Sequence, residues 1–292
     1  MTAGSLADDI REKLGDLSPA ERKVARVILA GYPASGFETI AVIAERAAVS
    51  APTVLRFATR LGYRGFPDFQ AALRAELDER NASPLTVYEA TGYGREPESK
   101  DSTEAGTLLR RGSTVFTGAV AQTLAEIPEH DLAQTLAILA DRKRRLTLAG
   151  GRFTHLLAQY LAMHLMQIRD DVRILPDRAV ERTAHLARLS RRDAVILFDY
   201  RRYEDDKTSI AQMAKDAGGK VIVFTDAWLS PATAHADVVL PSHVATLSPY
   251  DSLVPSLAVL ETVIAGTMQA LGEEAHHHLQ QSETTARRIG LV

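Results

Sequence analysis

Residues 39–63 read TIAVIAERAAVSAPTVLRFATRLGY, and their spacing decides the fold of the N-terminal part. Ile40, Ile43, Ala44 and Ala47 fall on one stripe of a helix that opens after Thr39, a capping residue type. Only a very short turn containing Val49 separates that helix from Ser50, a second capping residue, with Pro52 in the first turn that follows. In the second helix Val54, Phe57, Ala58 and Leu61 stand at i, i+3, i+4 and i+7, so they are expected to face a core. Thr53, Arg56 and Arg60 then project from the other side. Two helices joined this tightly form a helix-turn-helix, and two outward arginines with a hydroxyl suit base edges and phosphates in a major groove. Arg64, just past the helix, is placed to clamp a phosphate, so the DNA-facing set is Ser50, Thr53, Arg56, Arg60 and Arg64. A small helical bundle with a solvated basic face would show the same spacing, and pattern alone leaves both readings open.

Working outward, Ser18-Pro19-Ala20-Glu21 joins a capping serine, a proline at the first helical position and a glutamate that reaches back to the cap. Val24, Val27 and Ile28 continue at helical spacing, and a further helix follows Gly65-Phe66-Pro67 with Phe69, Leu73 and Leu77 on one side. Residues 1–80 are thus expected to be an all-α domain. Residues 81–105 are rich in Pro, Gly, Ser, Thr and acid, which is linker composition. From 106 to 275 short apolar runs alternate with helical segments: Leu146-Ala149, Val172-Leu175, Ala194-Phe198, Lys220-Thr225 and Asp237-Pro241, then an apolar helix from Leu257 to Leu271. That order predicts an α/β domain with a doubly wound parallel sheet, whose ligands sit beyond the carboxyl ends of the strands. Residues 276–292 form a polar tail.

Composition narrows the classes. The chain has 292 residues, enough for two domains, with 46% hydrophobic and 24% charged residues, as in ordinary globular proteins. No apolar stretch reaches the roughly 20 uninterrupted residues of a membrane span, and the start lacks the layout of a secretory signal. There is no cysteine, which removes disulfides and thiolate chemistry and accords with a cytoplasmic protein. With a formal net charge of -3, any nucleic-acid contact must come from a local basic face.

The stretches Leu17-Ser18-Pro19-Ala20-Glu21, Val49-Ser50-Ala51-Pro52-Thr53-Val54-Leu55-Arg56-Phe57 and Leu61-Gly62-Tyr63-Arg64-Gly65-Phe66-Pro67-Asp68-Phe69 resemble the N-terminal domain of RpiR/MurR-type transcriptional regulators. The resemblance covers nearly the whole chain, because that family joins such a domain to a sugar-isomerase (SIS) domain. It implies a homodimer or homotetramer, a palindromic double-stranded DNA operator and a small-molecule effector.

In SIS domains the first strand runs into a glycine- and serine-containing loop that holds a phosphate at a helix N-terminus. Here Gly150-Gly151-Arg152-Phe153-Thr154-His155 takes that place, with Thr154 where serine is usual and Arg152 where glycine is common. After the strand Ala194-Phe198 the usual serine-rich turn is replaced by Asp199-Tyr200-Arg201-Arg202-Tyr203. Arg201 or Arg202 is then suited to an anionic ligand; equally, the pair could bridge to Asp199, Glu204, Asp205 or another subunit. Ser248-Pro249-Tyr250-Asp251-Ser252 precedes the last apolar helix, and its hydroxyls, those of Ser248 and Ser252 among them, and its acid either line the pocket or cap that helix. The ligand set is therefore Gly150, Gly151, Arg152, Thr154, His155, Asp199, Arg201, Arg202, Ser248 and Ser252, with an anionic effector expected.

Glu261 stands roughly where SIS isomerases carry an acid–base carboxylate, which keeps an isomerase as the alternative function. A third reading leaves the α/β domain to oligomerisation alone. No nucleotide or hydrolase motif is present, and His276-His277-His278 stand in a polar tail without accompanying ligands, so neither a cofactor, a metal nor a catalytic set is expected.

Overall fold

The computed structural model describes residues 6–91 and 105–291, and it divides into two compact units, Met1–Ser83 and Pro84–Val292. The first unit is helical: α1 (Leu6–Glu12), α2 (Pro19–Ala30), α3 (Ile40–Arg46), α4 (Ala51–Arg60) and α5 (Phe66–Asn81). The capping box opens α2: the Ser18 hydroxyl accepts the Glu21 N–H, and the Glu21 carboxylate accepts the Ser18 N–H at 2.9 Å. Those hydrogen bonds hold the Glu21 carboxyl below its usual range. Ile28, Ile43, Val54, Phe57, Phe69 and Leu73 are wholly buried, and Phe57 meets Phe69 edge-on at 6.1 Å. Each such side chain contributes about 1.5–3 kcal/mol by leaving water. Ala48 turns the chain between α3 and α4 with φ at 50°, and the Val49 N–H closes back onto the Ala44 carbonyl at 2.9 Å. α1 adds Leu6 and Ile10, one helical turn apart, to this core.

The second unit contains α6 (Pro84–Thr91), α7 (Ala105–Glu126), α8 (Glu129–Ala140), β1 (Arg145–Gly150), α9 (His155–Ile168), β2 (Val172–Ile174), α10 (Ala179–Leu186), β3 (Asp193–Phe198), α11 (Asp205–Asp216), β4 (Lys220–Asp226), β5 (Val238–Ser242), α12 (Val254–Leu271) and α13 (Glu273–Arg288). All strand pairs are parallel, in the order β2-β1-β3-β4-β5. Alternate residues serve opposite faces, as a pleated strand requires. Leu146, Leu148, Ile196 and Phe198 face α8, α9 and α12, whereas Val195, Leu197, Val221 and Val223 face α11. The crossover from β4 to β5 uses a 3-10 turn, Pro231–His235, in place of a full helix.

Two stretches differ in local structure from their composition. Part of the segment 81–105 is helix, the end of α5 and all of α6, while residues 92–104 lie outside the described residues. The polar stretch 276–292 is mostly α13, which seats Ala275 in the core and packs against α9 and α12. α12 is long and apolar enough by composition to cross a membrane; in this fold Val259, Leu260 and Val263 are buried against the sheet.

Candidate DNA-binding helix and ligand cavity

α4 presents two contrasting sides. Val54, Phe57 and Ala58 are wholly buried, with Leu61 at its C-terminal end, while Leu55, Arg56, Thr59 and Arg60 are exposed. Arg60 makes no hydrogen bond or ion pair among the described residues, and Arg56 donates one bond, from Nη2 to Thr53 Oγ1 at 3.0 Å. The structure corrects the expectation for Thr53. Its side chain is 4% exposed, because it sits in the first turn where the helix start turns inward, and its hydroxyl is shared with Ser50 Oγ at 3.0 Å. Ser50 occupies the N-cap position with extended backbone but spends its hydroxyl on Thr53 rather than on a backbone N–H. Thr53 therefore positions Arg56 instead of facing outward. Arg64 is highly exposed and tied to Asp68, whose carboxylate accepts its backbone N–H at 3.0 Å and its guanidinium at 3.4 Å.

The second site lies at the carboxyl ends of β1 and β3, where adjacent crossovers leave a crevice in a parallel sheet. A cavity of about 190 Å³ opens there, lined by Gly151, Arg152, Phe153 and Thr154 from the β1–α9 loop. Asp199, Tyr200, Arg201, Arg202 and Glu204 enter after β3, and Tyr250, Asp251 and Leu253 come from the segment before α12.

Thr154 does not offer its hydroxyl to the cavity. Its Oγ1 accepts the Gly151 N–H at 2.8 Å and donates to the Phe198 carbonyl at 2.7 Å, which staples the loop to the end of β3. Gly150 explains the tightness: a Cβ there would stand 2.5 Å from the Thr154 carbonyl. His155 turns back to the Arg152 carbonyl at 2.9 Å through Nδ1. The Arg152 N–H donates to Glu204 Oε1 at 3.0 Å.

The loop after β3 is fixed from beneath by Asp226, which is wholly buried. It accepts the Arg201 N–H, the Tyr203 hydroxyl at 2.6 Å and the Trp228 N–H at 3.0 Å. These donors satisfy a carboxyl that burial pushes up to about 6. Asp199 is likewise pushed up to about 6 by burial; it accepts the Ser230 hydroxyl and, at 3.2 Å, the Glu204 N–H.

The two adjacent arginines have different fates. Arg201 forms a fork with Asp251, its Nε to Oδ2 distance being 3.2 Å, and its guanidinium lies 5.7 Å over the Trp228 ring. Arg202 holds a left-handed backbone with φ at 68°, and its Nε is buried without a hydrogen-bond partner among the described residues. The Arg152 guanidinium also has no hydrogen bond or ion pair among them.

Of the ligand set read from sequence, Gly151, Arg152, Thr154, Asp199, Arg201 and Arg202 come together around the cavity. Gly150, His155, Ser248 and Ser252 are not among its lining residues. Ser248 accepts the Tyr250 N–H at 3.2 Å, and Ser252 accepts the Val254 N–H at 3.2 Å at the start of α12. Their hydroxyls serve turns and caps. Tyr250 and Asp251 line it from the segment that the sequence offered for closing the pocket, whereas Phe153, Tyr200, Glu204 and Leu253 are lining residues outside the expected set. The Asp251 carboxylate could have been sought as a partner for two adjacent arginines, but nothing local in sequence pairs positions fifty residues apart.

Comparison with known proteins agrees with both halves. Residues 4–80 match the family model of the rpiR-family helix-turn-helix domain, and residues 138–266 match that of the SIS domain. The chain is 27% identical to the HTH-type transcriptional regulator HexR of Pseudomonas aeruginosa, over 95% of this chain and 94% of that protein. It is 26% identical to Escherichia coli HexR, over 95% and 92%. Among solved structures, Vibrio vulnificus NanR complexed with ManNAc-6P shares the fold with a TM-score of 0.54 and 18% identity, covering 98% of this chain and 99% of that one. The sugar isomerase domain of an RpiR transcription factor from Sphaerobacter thermophilus does so with a TM-score of 0.57 and 21% identity, over 61% and 98%. The chain belongs to the RpiR-type transcriptional regulators, in which a helix-turn-helix domain is joined to a SIS domain.

Proposed function

We propose that this regulator reads a double-stranded operator through α4 and answers to an anionic metabolite, of the phosphosugar class, held in the cavity at the ends of β1 and β3. The observation that carries the sensing half is the pair of guanidinium groups, Arg152 and Arg202, that stand at that cavity with no partner among the described residues, one with a buried Nε. NanR, described as complexed with ManNAc-6P, has the same fold and supports the ligand class. The reading half rests on Arg56 and Arg60, exposed on a helix whose other side is core.

An operator with two half-sites requires more than one copy of the chain. Leu156 and Met163 on α9, 54% and 56% exposed, and Val254 and Leu257 on α12 offer an apolar face for a homo-oligomer. Light scattering on the full chain tests this directly. A ligand controls such an assembly by binding one subunit arrangement better than another. The isomerase reading loses its main support, because Glu261 accepts the Tyr160 hydroxyl and is not among the residues lining the cavity.

The test joins two measurements. In a gel shift against the protein's own promoter region, Arg56→Ala weakens binding by about 10–100-fold. In a thermal-shift screen of phosphosugars including ManNAc-6P, a ligand raises the melting temperature of the wild type and not of Arg202→Ala. Equal shifts in both proteins overturn the assignment of the cavity.

A further inference from the structure

The β1–α9 loop leads into α9, whose first turn is where backbone N–H groups and the helix dipole attract negative charge. In this chain a carboxylate of the protein already stands at the loop just before that turn. Glu204 Oε1 accepts the Arg152 N–H at 3.0 Å, and Glu204 Oε2 is held at 2.8 Å by Lys207 Nζ. Lys207 is 1% exposed, and its ammonium is shared with Asp206 at 2.7 Å, so the side that anchors Glu204 is fixed from the interior. The fit to the loop is close: a Cβ on Gly151 would lie 2.9 Å from Glu204 Oε1. The neighbouring donor, the Gly151 N–H, is taken by Thr154. Two backbone donors of the loop, the Gly151 and Arg152 N–H groups, are thus spent within the chain, while the guanidinium groups of Arg152 and Arg202 remain unpaired among the described residues.

We propose that Glu204 is a resident anion, a specificity-determining residue that occupies the Arg152 N–H and competes with the effector's anionic group for the cavity. The inference rests on the anionic-effector reading above. A ligand anion drawn in by Arg152 and Arg202 meets the Glu204 carboxylate at short range. It either displaces that carboxylate from the loop or binds against its repulsion. Only ligands whose remaining groups add enough affinity hold the cavity, so small inorganic anions are excluded.

The experiment is isothermal titration of the full-length wild type, Glu204→Gln and Asp206→Asn with inorganic phosphate, and separately with ManNAc-6P, at neutral pH. Glu204→Gln keeps the side-chain shape and removes the charge. It is expected to bind phosphate at least about tenfold more tightly than the wild type. Asp206→Asn removes a charge from the same lysine away from the cavity, and its phosphate affinity is expected to stay within about twofold of the wild type. Thermal melts without ligand show that each variant is folded; should Glu204→Gln fail this check, Glu204→Asp, whose shorter side chain withdraws from the Arg152 N–H, is titrated in its place with the same direction expected. Equal phosphate binding by Glu204→Gln and wild type, or an equal gain in Asp206→Asn, overturns the resident-anion role. If ManNAc-6P still binds the wild type in that case, the sensing reading stands alone. If neither protein binds either anion, both fail.

Discussion

The exposed side of α4 and the cavity at the ends of β1 and β3 both gather arginines, but only the cavity commits one of its three, Arg201, to a carboxylate and sets the other two, Arg152 and Arg202, beside resident acids. On α4, Arg56 and Arg60 are exposed, and among the described residues neither forms an ion pair, although both charges lie near enough to Glu21 to favour its ionised form. In the cavity Arg201 is forked onto Asp251, with side-chain exposures of 10% and 17%, and Glu204 has already claimed the loop that faces it. Arginines kept exposed and unneutralised suit a partner that brings its own dense charge, such as a phosphate backbone. Arginines set among buried carboxylates suit a small ligand that must be told apart from other anions, because each internal partner raises the requirement for entry. The difference teaches that residue type gives the charge and the fold gives its availability.

The largest effect that would break this comparison is on stability. Arg201→Ala leaves Asp251 without its cation in a half-buried site and removes the guanidinium from the Trp228 ring, which should cost about 3 kcal/mol. Denaturant melts of the second unit's transition measure it, and DNA affinity per folded molecule should be unchanged. Arg56→Ala should do the reverse, sparing stability and weakening DNA binding. A fall in DNA affinity on Arg201→Ala without loss of stability would mean that the two arginine sets do not divide the work in this way.

Much of this division was legible in sequence, and its limits were physical. The period-3.6 pattern of Val54, Phe57, Ala58 and Leu61 was enough to place the core side of α4, since helical geometry alone relates those positions. It misplaced Thr53, because a first-turn residue beside a reversing chain is covered by its own N-terminal neighbours. The apolar runs gave the strands and their burial, for parallel strands covered on both faces lack an alternating pattern. What could not be read were the long-range polar contacts: the ion pair of Asp251 with Arg201 and the hydrogen bond from the Arg152 N–H to Glu204 join segments that only the sheet brings together. Thr154 was legible as the family's hydroxyl position, but its engagement with the Phe198 carbonyl depends on β3 lying beside β1.

A smaller effect sharpens the electrostatics of the cavity. Asp199 holds its proton up to about pH 6 in the folded protein, against an ordinary value of 3.8, because burial penalises its charge. Between those values the native state binds more protons than the unfolded chain, so this group's contribution to stability is lost as pH rises through that window and is absent above it. Asp199→Asn has no such proton to lose. Relative to the wild type it should gain about 2 kcal/mol between pH 4 and pH 7, read from denaturant melts across that range. A difference between the two proteins that does not change with pH would show that Asp199 is charged throughout.

The smallest effect concerns an arginine that stands between the two classes. Arg64 is paired, like Arg201, but its partner Asp68 is on the surface and its own side chain is 91% exposed. An exposed pair is screened by salt and exchanges readily with other partners, so it does not commit the guanidinium as the Asp251 fork commits Arg201. The Asp68 carboxylate also accepts the Arg64 backbone N–H, and that bond survives removal of the side chain. Arg64→Ala should therefore leave the fold intact. It should weaken binding to operator and unrelated DNA alike and lower the slope of log affinity against log salt by about 1, as expected for one lost phosphate contact. Titrations at several salt concentrations measure that slope. A loss confined to the operator would instead place Arg64 on a base edge, and an unchanged slope would keep it with Asp68 even when DNA is bound.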